Sequence, residues 1–160
     1  MNNNLPQRKT PRANWIEYNE GMYFITICTK SKKHFFGQII NDVICLSQIG
    51  KYLDYVINET PKHQSYIEIL QYVIMPNHFH LILNITDYKN GASETAAPYN
   101  NETSKFISLL KRYCNREYGE NIWQSSCNDH IIRGEKDYQK IWEYIDTNVS
   151  RWEKDCFYDD

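Results

Sequence analysis

In "YVIMPNHFHLIL", residues 72–83, two histidines one residue apart sit in an apolar run broken by Pro76-Asn77. On a strand, side chains alternate between faces, so His78 and His80 point one way and Phe79 the other. Two imidazoles on one face can share a divalent cation. The same spacing also describes an ordinary half-exposed surface pair, and it gains weight only if a third ligand and a nucleophile converge on it. Near the other end, "WEYIDTN" places Tyr144 and Asn148 four residues apart. On a helix this puts a phenol and a carboxamide on one face, one turn from each other, with Lys140 preceding them on the same stripe. A tyrosine packed with its hydroxyl at the surface and an asparagine near a helix end account for that spacing equally well.

The elements that must position these residues are legible in outline. "MYFITICTK" (22–30) reads as a strand from its β-branched and aromatic content. "HFFGQIINDVICLS" reads as a hairpin turning at Asn41-Asp42, expected at the edge of the main sheet. Ser47 caps a helix of about three turns with Ile49, Leu53, Val56 and Ile57 on its apolar face, stopped by Pro61. "SYIEILQYVIM" and "HFHLILNI" are two strands joined by Pro76-Asn77. Residues 86–103 have almost no bulky aliphatic side chain and are expected to be a mobile loop. A second helix is expected over 104–118, ended by Gly119, then a short strand at 129–133. A third helix, 135–148, buries Tyr138, Ile141, Ile145 and Val149. This order predicts one α+β domain of the ferredoxin-like, split βαβ type: an antiparallel sheet with helices on one face, plus an added C-terminal helix. Residues 1–20, with Pro6, Pro11 and the cation Arg12, read as an extended arm.

Composition narrows the classes. The 160 residues suit one domain with a real core. A net charge of −2 and a pI near 6.2 argue against coating nucleic acid nonspecifically. Basic residues still cluster, as in Lys105, Lys111, Arg112 and Arg116 of the second helix, whereas residues 153–160 are acidic. Five widely spaced cysteines without a CxxC fit neither a disulfide framework nor a zinc ribbon. With no apolar leader and no apolar run of about 18 residues, the chain is expected to be soluble and cytoplasmic, without a membrane partner.

Taken in order, "MPNHFHLIL", "IWQ" (122–124), "DHIIR" (129–133), "DYQKIWEYI" (137–145) and Asn148 resemble the single-tyrosine, IS200-like transposases of the HUH type. Among these, the REP-associated tyrosine transposase group is the most similar. The likeness extends from about Tyr18 to Tyr158, through "YFITICT", "HFFG" and "LSQIGKYL". It implies that His78 and His80 bind Mg2+ or Mn2+, that Tyr144 is the nucleophile, and that Asn148 adds an amide-oxygen ligand. It further implies cleavage and strand transfer of hairpin-bearing single-stranded DNA through a 5′-phosphotyrosine, by a monomer or a homodimer with exchanged helices. Two positions depart from the family pattern: Val149 replaces a proline, so the last helix is free to run on into "SRWEKD", and Cys127-Asn128 replaces an aromatic pair. Two rivals remain at this level: a noncatalytic single-strand-binding module that stacks bases on aromatics, and a nuclease in which water attacks.

Overall fold

The computed structural model describes residues 21–64, 66–86 and 102–158. The expected N-terminal arm, with Arg12, and residues 87–101 of the expected loop lie outside them.

Six strands and three helices make up the described fold: β1 (Met22–Thr29), β2 (Gly37–Ile40), β3 (Val43–Leu46), α1 (Gln48–Glu59), β4 (Ile67–Met75), β5 (His78–Ile85), α2 (Glu102–Tyr118), β6 (Trp123–Ile131) and α3 (Glu135–Thr147). The main sheet runs β4-β5-β1-β6, antiparallel throughout. That order is the ferredoxin-like one, with β5 and β1 central.

Alternation along these strands divides the molecule. Tyr23, Ile25 and Ile27 of β1 and Phe79, Leu81 and Leu83 of β5 pack with the apolar faces of α1 and α2. Met22, Ile82 and Leu70 pack instead with Tyr138, Ile141, Trp142 and Ile145 of α3. Thus α1 and α2 cover one face and α3 the other, because each central strand carries apolar side chains on both sides. Full burial of residues such as Leu53, Phe79 and Phe106 contributes about 1.5–3 kcal/mol each.

The structure departs from expectation at several boundaries. The β2–β3 hairpin is a separate two-stranded sheet rather than an edge of the main one. Its turn is as foreseen, with Asn41 and Asp42 at φ +50° and +58°. Phe36, fully buried, anchors it: its N–H donates to the Pro76 carbonyl (3.0 Å), and its carbonyl accepts from Ser47 N–H (2.9 Å). Strand β6 starts six residues before the expected 129 because Ser125, Ser126 and Asn128 are exposed, so no apolar period marks them. Helix α2 starts at Glu102, inside the expected loop, and ends at Tyr118, before Gly119, whose φ of +93° suits a glycine stop. Helix α3 ends at Thr147 and the chain continues as a 3₁₀ turn, Val149–Lys154, as loss of the proline allows. Val149 is only half-buried, and Trp142 joins the buried face.

Gly50, in the first turn of α1, lies against the Phe36 carbonyl where a Cβ would collide with backbone. In an open helix Gly→Ala stabilises by about 1 kcal/mol. Here Gly50→Ala is expected to destabilise by about 1–3 kcal/mol in urea unfolding; a stabilised variant would contradict the packing of the hairpin on α1.

Candidate metal centre and tyrosine

Central placement of β5 determines the environment of its histidines. Register puts His78 between Met75 and Cys28, and His80 between Val73 and Thr26, on the face that α3 covers. Both are essentially fully buried, so the pair is not a surface decoration.

Each ring is held at Nδ1. His78 Nδ1 is 2.7 Å from Asn77 Oδ1, and the same Asn77 donates from Nδ2 to the Phe157 carbonyl (2.8 Å). With its nitrogen spent on a carbonyl, the Asn77 amide offers His78 an acceptor, so His78 carries its proton on Nδ1 and its Nε2 is bare. His80 Nδ1 is 2.7 Å from Thr26 Oγ1. The two Nε2 atoms lie 3.0 Å apart. The turn itself is pinned, since the Asn77 carbonyl accepts from both the N–H and the hydroxyl of Thr29, each at 2.9 Å.

Burial pushes the pKa of His78 down to about 4, with Asp155 acting in the opposite direction. Burial, followed by the neighbouring His78, holds His80 well below its ordinary value. Both rings are therefore neutral near pH 7 and present lone pairs.

A third group completes the cluster. Asp155, just after the 3₁₀ turn, brings a carboxylate oxygen so that one atom from each of His78, His80 and Asp155 lies within 4.8 Å of the others. Its Oδ2 accepts from Asn148 Nδ2 (2.9 Å) and its Oδ1 from Phe157 N–H (2.8 Å). Sequence reasoning missed Asp155 because it reads as one acid in an acidic tail, with no periodicity tying it to the histidines. Phe157 packs on His78 with ring centroids 4.6 Å apart, and Phe24 stacks on His80 at 5.3 Å.

The donor set fits a divalent cation. Two neutral imidazoles and a carboxylate converge in the interior, within 4.8 Å of one another by one donor atom from each.

Tyr144 and Asn148 share one face of α3, as helical spacing foresees, and both lie beside this centre. Tyr144 is 37% exposed, and its hydroxyl lies 3.4 Å from both His80 Nε2 and Asp155 Oδ2, a loose reach for either bond. Burial, then the Asp155 carboxylate, push its phenol up to about 12. Asn148 is buried, and its Oδ1 has no hydrogen-bond partner among the described residues, at a cost of about 1–3 kcal/mol. Lys140 is exposed on α3, and its charge acts on Asp137. Asp137 also bonds His130 (2.8 Å), which accounts for that histidine outside the centre.

The other candidate cations are elsewhere. Helix α2 packs on the opposite face of the sheet from the histidines. There Lys105 pairs with Glu102 (2.9 Å), Lys111 donates to the Gln124 carbonyl (3.0 Å), Arg116 lies 5.4 Å from the Tyr113 ring centroid, and Arg112 is exposed. The structure does not bring these four to the tyrosine.

The lowered His78 pKa links stability to pH. Between pH 6.5 and about 4 the unfolded chain takes up a proton that the folded chain refuses, so stability is full above that window and lost as pH falls through it. In EDTA the urea midpoint is expected to drop across this range, and to drop less in His78→Asn. A flat midpoint would contradict a buried, neutral pair.

No family model matches the chain. An uncharacterized protein of Haemophilus influenzae is 34% identical over 175 residues, covering 99% of this chain and 97% of that protein. A solved structure of a REP-associated tyrosine transposase bound to a REP hairpin superposes with a TM-score of 0.63 at 21% identity, covering 82% of this chain and 68% of that one. The chain therefore belongs to one family with the Haemophilus influenzae protein, and its fold is similar to that of a REP-associated tyrosine transposase.

Proposed function

We propose that this protein cuts and rejoins single-stranded DNA by transesterification. Tyr144 is the nucleophile, His78 and His80 hold Mg2+ or Mn2+, and a third oxygen ligand comes from the Asn148–Asp155 pair. The observation that carries this reading is the half-exposed Tyr144 hydroxyl at the rim of a buried, neutral histidine pair, 3.4 Å from His80 Nε2. A binding module has no use for that arrangement.

In the reaction the Tyr144 oxygen bonds to phosphorus and the bond from phosphorus to the 3′ oxygen breaks. The products are a 5′-phosphotyrosine and a 3′-hydroxyl: the phenol proton passes to water at the exposed rim, and the departing 3′ oxygen takes up a proton from water there. With a pKa near 12, Tyr144 stays protonated at neutral pH unless positive charge offsets Asp155. A divalent ion held by His78 and His80 would supply that charge and Lewis acidity toward the phosphate. Because one phosphoester replaces another, a 3′-hydroxyl can attack the phosphotyrosine in turn and join strands without ATP.

The REP hairpin bound to the fold neighbour supports single strands beside hairpin-forming repeats as the substrate. Lys140, one turn before Tyr144, is the best placed of the candidate cations to meet the phosphate backbone. Lys105, Lys111, Arg112 and Arg116 serve only DNA that reaches the other side of the sheet. Helix α3 rests on the sheet of the same chain through Tyr138, Ile141, Trp142 and Ile145, and Tyr144 is read as acting in cis.

Incubating the protein with 5′-³²P-labelled or internally labelled hairpin-flanked single-stranded DNA and Mn2+, then running a denaturing gel, tests the reading. Internal label is expected to migrate with the protein, and to be lost in Tyr144→Phe and in EDTA. Cleavage leaving a free 5′-phosphate with no adduct would instead show that water attacks.

A further inference from the structure

We infer that the Asp155 carboxylate is the oxygen ligand of the metal ion and that Asn148 acts as its positioning residue. This deepens the proposed function and rests on its reading that His78 and His80 hold an ion.

Orientation of the Asn148 amide is the first argument. Its nitrogen donates to Asp155 Oδ2 at 2.9 Å. Reversing the amide would set its oxygen against an ionised carboxylate, so the assignment of nitrogen and oxygen follows from charge. The end of Asn148 that meets the groups around His80 is thus a donor, and an amide N–H offers a cation no lone pair. Asp155 brings a carboxylate oxygen within 4.8 Å of an imidazole nitrogen of both His78 and His80.

The placement of Asp155 is also built rather than incidental. Asp155 Oδ1 accepts from Phe157 N–H, the Phe157 carbonyl accepts from Asn77 Nδ2, and Asn77 Oδ1 accepts from His78 Nδ1. One asparagine side chain thereby fixes the proton of the first ligand and the backbone that carries the third, although 77 and 155 are far apart in sequence. The Phe157 ring, 4.6 Å from His78 and 5.9 Å from His80 by centroids, closes the same loop from above.

Two neutral imidazoles and one carboxylate leave a divalent ion with a single net positive charge. That set retains an ion before DNA arrives, and the carboxylate adds the oxygen donor that Mg2+ and Mn2+ accept.

The full-length protein is titrated with Mn2+, following loss of the free-ion EPR signal, and with Co2+, whose visible absorption reports its ligands. Asp155→Ala is expected to raise the Mn2+ Kd by about 100-fold and to change the Co2+ spectrum. Asn148→Ala is expected to raise Kd by about tenfold and to keep the Co2+ spectrum, as for an outer partner of a ligand. Asp155→Asn, which keeps the shape of the side chain, should follow Asp155→Ala in direction, so misfolding cannot imitate the result. The inference is overturned if both Asp155 variants keep the parent Kd and Co2+ spectrum while Asn148→Ala loses them. If His78→Ala also keeps the parent Kd, the ion is not at the histidines, and the proposed function rather than the ligand assignment fails.

Discussion

Two neutral imidazoles face each other across 3.0 Å in the interior of this protein, and most of the surrounding structure serves to hold them so. Neither ring is free to turn. Asn77 fixes the proton of His78, Thr26 engages Nδ1 of His80, and aromatic rings close over both. Burial keeps the pair neutral, since a protonated imidazole there would lose its hydration without gaining a full partner. A site of this kind could hold a cation without rearranging.

The sheet makes this affordable by giving its two faces different tasks. One face, with α1 and α2, carries the larger core and supplies rigidity. The other carries the histidines and a smaller core beneath α3. That smaller core positions Tyr144: Tyr138, Ile141, Trp142 and Ile145 bind the helix to the sheet, and the phenol projects beside His80 as a consequence of the helical period. The hairpin contributes at a distance, because Phe36 and Thr29 together pin the Pro76-Asn77 turn from which His78 starts.

Much of this was legible in the residues. Alternation placed His78 and His80 together, a four-residue step placed Tyr144 with Asn148, and Ser47 announced α1, whose Gly50 N–H it caps at 3.1 Å. What stayed hidden has physical reasons. Strand β6 is an edge strand with exposed polar residues, so pairing with β1 rather than burial defines it, and pairing leaves no mark on the period. The hairpin's separation from the main sheet depends on the Phe36 backbone, which no side-chain pattern encodes. Asp155 reaches the histidines only through the 3₁₀ turn and the hydrogen bonds of Phe157, so its neighbours in space are not its neighbours in any repeat. The basic stripe of α2 is real in sequence, but the topology sends it to the face away from the tyrosine.

The proposed function requires Tyr144 to bond to phosphorus at a metal centre built on His78 and His80. Mass spectrometry of the proteolysed protein after reaction with single-stranded hairpin DNA and Mn2+ addresses that bond itself. The account predicts a nucleotide adduct within residues 141–151, whose one tyrosine is Tyr144, and its absence when the metal is chelated. A nucleotide attached at any other residue, or the same adduct formed in EDTA, would contradict it.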